Sequence, residues 1–284
     1  MSHWGYGKDD GPSKWAQDYE AAGGNRQSPI NIVRSQAKFD QKLADAPLVT
    51  KYSADNAKSL SNSGHSFMVD TSASKTDTSG FKPRPKPGVE PNTLQGGPLE
   101  NSYEMAQWHA HWGANNCRGS EHTVDGNSFA AEIHLVHWNN IKYKSFGEAA
   151  TKGDGLAVLG IFVKIGKEHA GLKQITDEMK KIHHSGQNVD LASGFDPSVL
   201  LPNNTAKFWT YLGSLTTPPC LESVIWIVLE EPIEISEGQV KAFRDLVSYA
   251  EGQQQPNDEF KGQIEDNFRP PLPLGDRLLR SSFQ

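Results

Sequence analysis

The chain has 284 residues, of which 36% are hydrophobic and 22% charged, with a formal net charge of −6. That length accommodates one large β-rich domain or two smaller ones, and it is long enough to bury a sizeable core. The acidic balance gives no electrostatic reason to expect nucleic acid as a partner, and the longest apolar stretches, such as 156–163, fall far short of a membrane span.

Taken in chain order, the first segment, Met1-Ser2-His3-Trp4-Gly5-Tyr6-Gly7-Lys8-Asp9-Asp10, has neither a basic n-region nor an apolar h-region. Read as a complete chain, the protein is expected in the cytosol. Alternation around Val69 predicts a strand. The stretch 71–95, rich in Ser, Thr, Lys and Pro with Lys82-Pro83-Arg84-Pro85-Lys86-Pro87-Gly88 at its centre, predicts an extended solvated loop. A docking motif for a partner is the other use of such a segment. Residues 107–112 and 132–138 alternate as half-buried strands do. The short apolar, β-branched runs 156–165 and 223–229 also predict strands. Leu172, Ile175, Met179 and Ile182 recur at helical spacing, which predicts an amphipathic helix over 171–182. Ser236-Glu237-Gly238-Gln239 reads as a capping box opening a second helix, with Val240, Phe243, Leu246 and Val247 on one stripe. Turn-rich stretches separate the strands, and no repeat or interdomain linker appears. The pattern predicts a mainly β, α+β domain built on a mostly antiparallel sheet with peripheral helices. Two cysteines, Cys117 and Cys220, make neither a disulfide framework nor a zinc spacing, and reduced thiols are expected.

The chemistry is concentrated in Gln107-Trp108-His109-Ala110-His111-Trp112-Gly113 and Ala131-Glu132-Ile133-His134-Leu135-Val136-His137. Residues two apart in a strand point the same way, so His109 and His111 project from one face. A third imidazole from a neighbouring strand would complete a set suited to Zn²⁺ with its fourth position open. Parity selects the third ligand. Glu132, His134 and Val136 share one face of the second strand, and Ile133, Leu135 and His137 share the other. A ligating imidazole passes its second N–H to an acceptor. Glu132 lies two residues before His134, and Gln107 two residues before His109, so each has a same-face polar neighbour at the same offset. His134 is therefore preferred to His137. A cupin site also begins with HxH but places a Glu a few residues later, whereas the next acid here is Glu121.

Motifs along nearly the whole chain resemble those of the α-class carbonic anhydrases, closest to cytosolic-type animal members. They include Trp4-Gly5-Tyr6-Gly7, Arg26-Gln27-Ser28-Pro29-Ile30-Asn31-Ile32, Gly64-His65-Ser66-Phe67 and Gly96-Gly97-Pro98-Leu99. Gly119-Ser120-Glu121-His122-Thr123-Val124-Asp125, Gly213-Ser214-Leu215-Thr216-Thr217-Pro218-Pro219 and Asn267-Phe268-Arg269-Pro270 follow. The resemblance implies a single domain over 1–284, a central twisted sheet of about ten strands, and a monomer. It implies reversible hydration of carbon dioxide to bicarbonate and a proton at one Zn²⁺ per chain, held by His109, His111 and His134. Glu121 and Thr216 are implied to orient the attacking hydroxide, because an ionised Glu121 must accept the Thr216 proton and leaves that hydroxyl only able to accept. Thr217 is implied near the substrate. Val136, Val158, Leu215, Val224 and Trp226 are implied around carbon dioxide, which has no net charge or dipole. His65 is implied as the proton shuttle, suited by the pKa of imidazole. Gln107, Glu132, Tyr6 and the Asn267 carbonyl are implied as outer supports of the ligands.

Some positions depart from the family pattern. Ser63 and Met68 stand where polar amides help order water toward the shuttle, and Ala110 replaces a bulky aromatic. The 71–95 loop is longer than usual. Cys220 falls where secreted members place one disulfide cysteine, but Ala22 occupies the partner's region, so that bridge is expected to be absent. A catalytically silent, carbonic-anhydrase-like binding or mineral-associated protein is the competing reading. Retention of all three histidines with Glu121 and Thr216 weighs against it.

Overall fold

A computed structural model of the protein describes residues 3–71 and 90–284, so the Lys82 to Gly88 segment singled out above lies outside them. Alternating and apolar runs become the middle of one large open sheet. Its main strands are β1 (Ser59–Asn62), β2 (Phe67–Asp70), β3 (Leu99–Trp112), β4 (Ala131–Trp138), β5 (Leu156–Ile165), β6 (Asn188–Asp190), β7 (Phe208–Gly213) and β8 (Val224–Leu229). They lie side by side in the order β6-β1-β2-β3-β4-β5-β8-β7, followed by Arg280–Ser281 and Lys38–Phe39.

The sheet has 13 strands among the described residues, rather than about ten. The three strands off that path are pieces of three or four residues, Val49–Lys51, Thr93–Gly96 and Ile233–Ile235, too short to show a period in sequence. Most pairings are antiparallel, but β5 and β8 run parallel at its centre, with Leu156 opposite Val224 and Gly160 opposite Val228. Those two strands are the unbroken apolar runs, and burial on both faces is what such runs encode.

One face of the sheet carries the larger core. Phe67, Val69, Trp108, Ala110, Trp112, Ile133 and Leu135 pack there beneath α1 (Ala170–Glu178) and α2 (Glu237–Arg244), which contribute Leu172, Ile175, Val240 and Phe243. The helix read over 171–182 is α1 plus a 3₁₀ turn, Met179–Ile182, that keeps Met179 and Ile182 buried. The capping box is complete: Ser236 Oγ accepts from the Gln239 N–H, and Gln239 Oε1 accepts from the Ser236 N–H. The Gln239 amide also bonds both the N–H and the carbonyl of His169, the residue preceding α1. Ser236→Ala is expected to cost about 1 kcal/mol, read as a lower urea midpoint at unchanged m-value.

Both cysteines are free thiols, Cys117 exposed and Cys220 buried. No helix among the described residues is long and apolar enough to cross a membrane.

Candidate metal centre

The opposite face of the sheet is organised in rows, because directly opposed residues on neighbouring strands point the same way. One row runs Ser61, Met68, His109, His134, Gly160 across β1, β2, β3, β4 and β5. The row beside it runs Gln107, Val136, Val158, Trp226 across β3, β4, β5 and β8. On the other side, His111 stands opposite Glu132. Strand parity alone therefore gathers three imidazoles, an amide and a carboxylate at one place.

Each imidazole has one nitrogen committed. His109 Nδ1–H donates to Gln107 Oε1 at 2.8 Å, His111 Nδ1–H to the Asn267 carbonyl at 2.7 Å, and His134 Nε2–H to Glu132 Oε1 at 2.8 Å. The remaining nitrogens, Nε2 of His109 and His111 and Nδ1 of His134, are thereby left as lone-pair donors. One ligand atom from each residue lies within 4.8 Å of the others. Burial pushes the His109 pKa far down, reinforced by its two imidazole neighbours, and burial lowers His111 against the opposing pull of Glu121. Both are held neutral, the form a metal needs. His137 is on the other face, as parity requires, with its Nε2 2.9 Å from the Tyr52 hydroxyl. Burial lowers its pKa to about 4.

A second layer of charge surrounds the imidazoles. Burial alone would raise the Glu132 pKa, but His122 and His134 outweigh it and hold the carboxyl well below the usual range. Its Oε2 also accepts from the Glu121 and His122 N–H groups, at 2.9 and 2.8 Å. Gly160 leaves room for this carboxylate, since a Cβ there would stand 3.2 Å from Glu132 Oε1. Glu121 is fully buried on a loop that begins at Gly119, whose φ of +147° and close approach to the Ala130 carbonyl admit no side chain. Glu121 Oε1 accepts from the Arg269 N–H at 2.8 Å.

Its other oxygen, Oε2, has no hydrogen-bond partner among the described residues, and neither does His111 Nε2. Those two atoms are 3.5 Å apart, and Oε2 is 3.9 Å from His134 Nδ1. Electron-rich atoms facing one another in a buried site are costly unless a cation or proton donor lies among them. The donor set therefore fits a cation. The Thr216 hydroxyl makes no hydrogen bond to Glu121 Oε2 here; Thr216 is buried in the loop joining β7 to β8, with Thr217 beside it.

Val136, Val158, Val224 and Trp226 are buried together with Leu215 packed against them, an apolar patch adjoining the histidine row. Trp226 also meets the His134 ring, centroids 4.8 Å apart. Tyr6 sits edge-on to Trp4 and Trp15, and burial and the Glu121 charge raise its pKa well above normal. His65 stacks on Trp4, centroids 3.8 Å apart, with Nε2–H donating to the Trp4 carbonyl at 2.9 Å.

Sequence reasoning missed a buried chain behind Glu132. His122 Nδ1 lies 2.7 Å from Glu132 Oε1, His122 Nε2 lies 2.7 Å from the Tyr211 hydroxyl, and that hydroxyl lies 2.8 Å from Ser28 Oγ. Ser28 Oγ in turn accepts from the Ser214 N–H at 3.0 Å, two residues before Thr216. His122 and Ser28 lie within quoted motifs, but nothing in the sequence pairs them.

Three imidazoles converging from two adjacent strands, each with one nitrogen bonded to an acceptor, form the donor set of a metal centre. The model of the family described as eukaryotic-type carbonic anhydrase matches residues 10–283. Over 281 residues the chain is 47% identical to carbonic anhydrase 7 of Mus musculus and 46% identical to carbonic anhydrase 7 of Homo sapiens, covering 99% of this chain and 97% of each relative. It is 42% identical to carbonic anhydrase 1 of Mus musculus over 280 residues, 99% of this chain and 98% of that protein. The chain belongs to the eukaryotic-type carbonic anhydrase family, zinc-dependent enzymes that act on carbon dioxide and bicarbonate.

Proposed function

We propose that His109, His111 and His134 hold one Zn²⁺ and that the residues around them carry out reversible hydration of carbon dioxide. The observation that carries this reading is the arrangement of the three rings, each with one nitrogen bonded to an acceptor and the other turned to a common point. Held by these imidazoles, Zn²⁺ would keep its charge and would make water more acidic there, the chemistry for which carbonic anhydrase is the standard example.

The protein's own residues do the rest. Glu121, which accepts from the Arg269 N–H through Oε1, offers Oε2 to the Thr216 hydroxyl. That hydroxyl then has only lone pairs to present, so it accepts from the nucleophile and fixes the direction of attack. Val136, Val158, Leu215, Val224 and Trp226 provide a dry wall for an apolar substrate, and Thr217 lies at its polar edge. Gln107, Glu132 and the Asn267 carbonyl fix ring tautomer and orientation, and Tyr6 stays protonated beside Glu121. His65 accepts the released proton at Nδ1 while Nε2–H bonds Trp4. Two unpaired cysteines support placing the enzyme in the cytosol, which fractionation of cells expressing it would check.

Metal analysis with stopped-flow carbon dioxide hydration tests the reading: one zinc per chain and rapid turnover are expected, and an active protein without metal overturns it. His65→Ala should lower kcat far more than kcat/KM, because regeneration of the nucleophile follows the steps that kcat/KM reports. Imidazole buffer should restore much of the loss. An unchanged kcat in weak buffer would remove His65 from the proton route.

A further inference from the structure

Two adjacent half-buried imidazoles, His183 and His184, lie outside the machinery above. Their rings meet edge-on with centroids 4.6 Å apart, and His184 lies edge-on to Tyr249 at 5.4 Å. They belong to the turn between the 3₁₀ segment after α1 and strand β6, and that turn is fastened to the one carrying His65. Asn62 Nδ2 donates to the carbonyls of Ile182, His183 and Val247 at 3.1, 3.1 and 3.0 Å, and the Gly186 N–H donates to the Asn62 carbonyl at 2.8 Å. In the β6–β1 ladder Asn188 stands opposite Ser61. The ladder ends at Asn62, whose N–H donates to the Gln187 carbonyl at 2.9 Å while its own carbonyl takes the Gly186 N–H. Beyond it the two turns stay side by side, with Ser185 Oγ so near Gly64 that it would stand 2.8 Å from a Cβ placed there.

We propose that His184, backed by His183, is a second proton station at the mouth of the site, receiving the proton that His65 carries out. This rests on the reading of His65 as the shuttle. His184 Nδ1–H points at the Tyr249 carbonyl at a long 3.4 Å, and Nε2 has no hydrogen-bond partner among the described residues. In the transfer, the His65 imidazolium loses its Nδ1 proton through solvent to His184 Nε2. His65 returns to its neutral form, and the new His184 imidazolium gives up a proton to buffer. The charged and titratable neighbours are few. Lys180 and Lys181 precede the pair, with Lys181 held by Glu178 at 2.6 Å, and Glu251 on the facing loop is bonded to Gln187. His65 itself is flanked by His3 and Asp10. No carboxylate forms an ion pair with either ring among the described residues, so nothing traps a proton there.

The test compares the zinc-loaded wild type, His65→Ala, the double variant His183→Gln/His184→Gln and the triple variant in weak, non-imidazole buffer. The double variant should show a several-fold fall in kcat at unchanged kcat/KM, rescue by imidazole, and no further fall when added to His65→Ala. Proton NMR titration of the histidine Cε1–H signals should show the His65 pKa rising in the double variant, because a neighbouring imidazolium disfavours a second charge. Unchanged kcat/KM and melting temperature establish that the variant is folded. A double variant with wild-type kcat beside a slow His65→Ala overturns the second station and leaves the shuttle standing. A further fall on top of His65→Ala overturns the transfer in series. A fast His65→Ala overturns the shuttle reading itself, and the second station with it.

Discussion

His134→Ala is expected to abolish metal retention and carbon dioxide hydration together, whereas His137→Ala leaves both intact. The two residues are three apart on β4, and alternation sends them to opposite faces. Removal of His134 takes away one of three lone pairs and leaves the Glu132 carboxylate, buried and ionised, short of a donor. Removal of His137 leaves the Tyr52 hydroxyl short of its partner instead, a loss of about 1–3 kcal/mol of stability with no consequence for zinc. Glu132→Gln should fall between, weakening zinc affinity by about 10–100-fold through loss of ring orientation. Metal content after dialysis against a chelator, with hydration rates on the same samples, separates these outcomes. Zinc loss on His137→Ala with retention on His134→Ala would show the ligand assignment to be wrong.

Thr216→Ala is expected to slow the chemical step by roughly 10²-fold while zinc content stays at one per chain, the cost of losing one preorganised hydrogen bond at the reacting atoms. The loss should fall on kcat/KM, since the hydroxyl acts on attack and not on proton release. It is thereby distinguishable from the His65 effect. Glu121→Gln should resemble it, because an amide can donate to the Thr216 oxygen and reverse the direction of the bond. Wild-type rates of carbon dioxide–bicarbonate interconversion in Thr216→Ala would reject the relay.

The sequence made the centre of this architecture readable because strand parity is an exact rule. His109, His111, Gln107, Glu132 and His134 could be assigned to one face from spacing alone, and both helices announced themselves by period and cap. The short edge strands could not be read, since two or three residues hold no period. The parallel pairing of β5 with β8 was also hidden: an apolar run states that both faces are buried but not which neighbour buries them. Contacts made through the main chain leave no trace in residue type, so the Asn267 carbonyl behind His111 entered only through family resemblance. The chain from Glu132 through His122, Tyr211 and Ser28 joins four distant segments by side chains that are ordinary one at a time.

Asn267 does more than hold one ring. Its carbonyl takes the His111 N–H, its Oδ1 accepts from the Trp112 N–H at 2.7 Å, and its Nδ2 donates to the His65 carbonyl at 2.8 Å. The residue that fixes a ligand on β3 therefore lies 156 residues further along the chain. Until it docks, His111 is free to present either nitrogen, and the turn bearing His65 lacks its anchor. Metal capture in its final geometry thus waits on a long-range contact, available only to a chain in which Asn267 has already docked against β3.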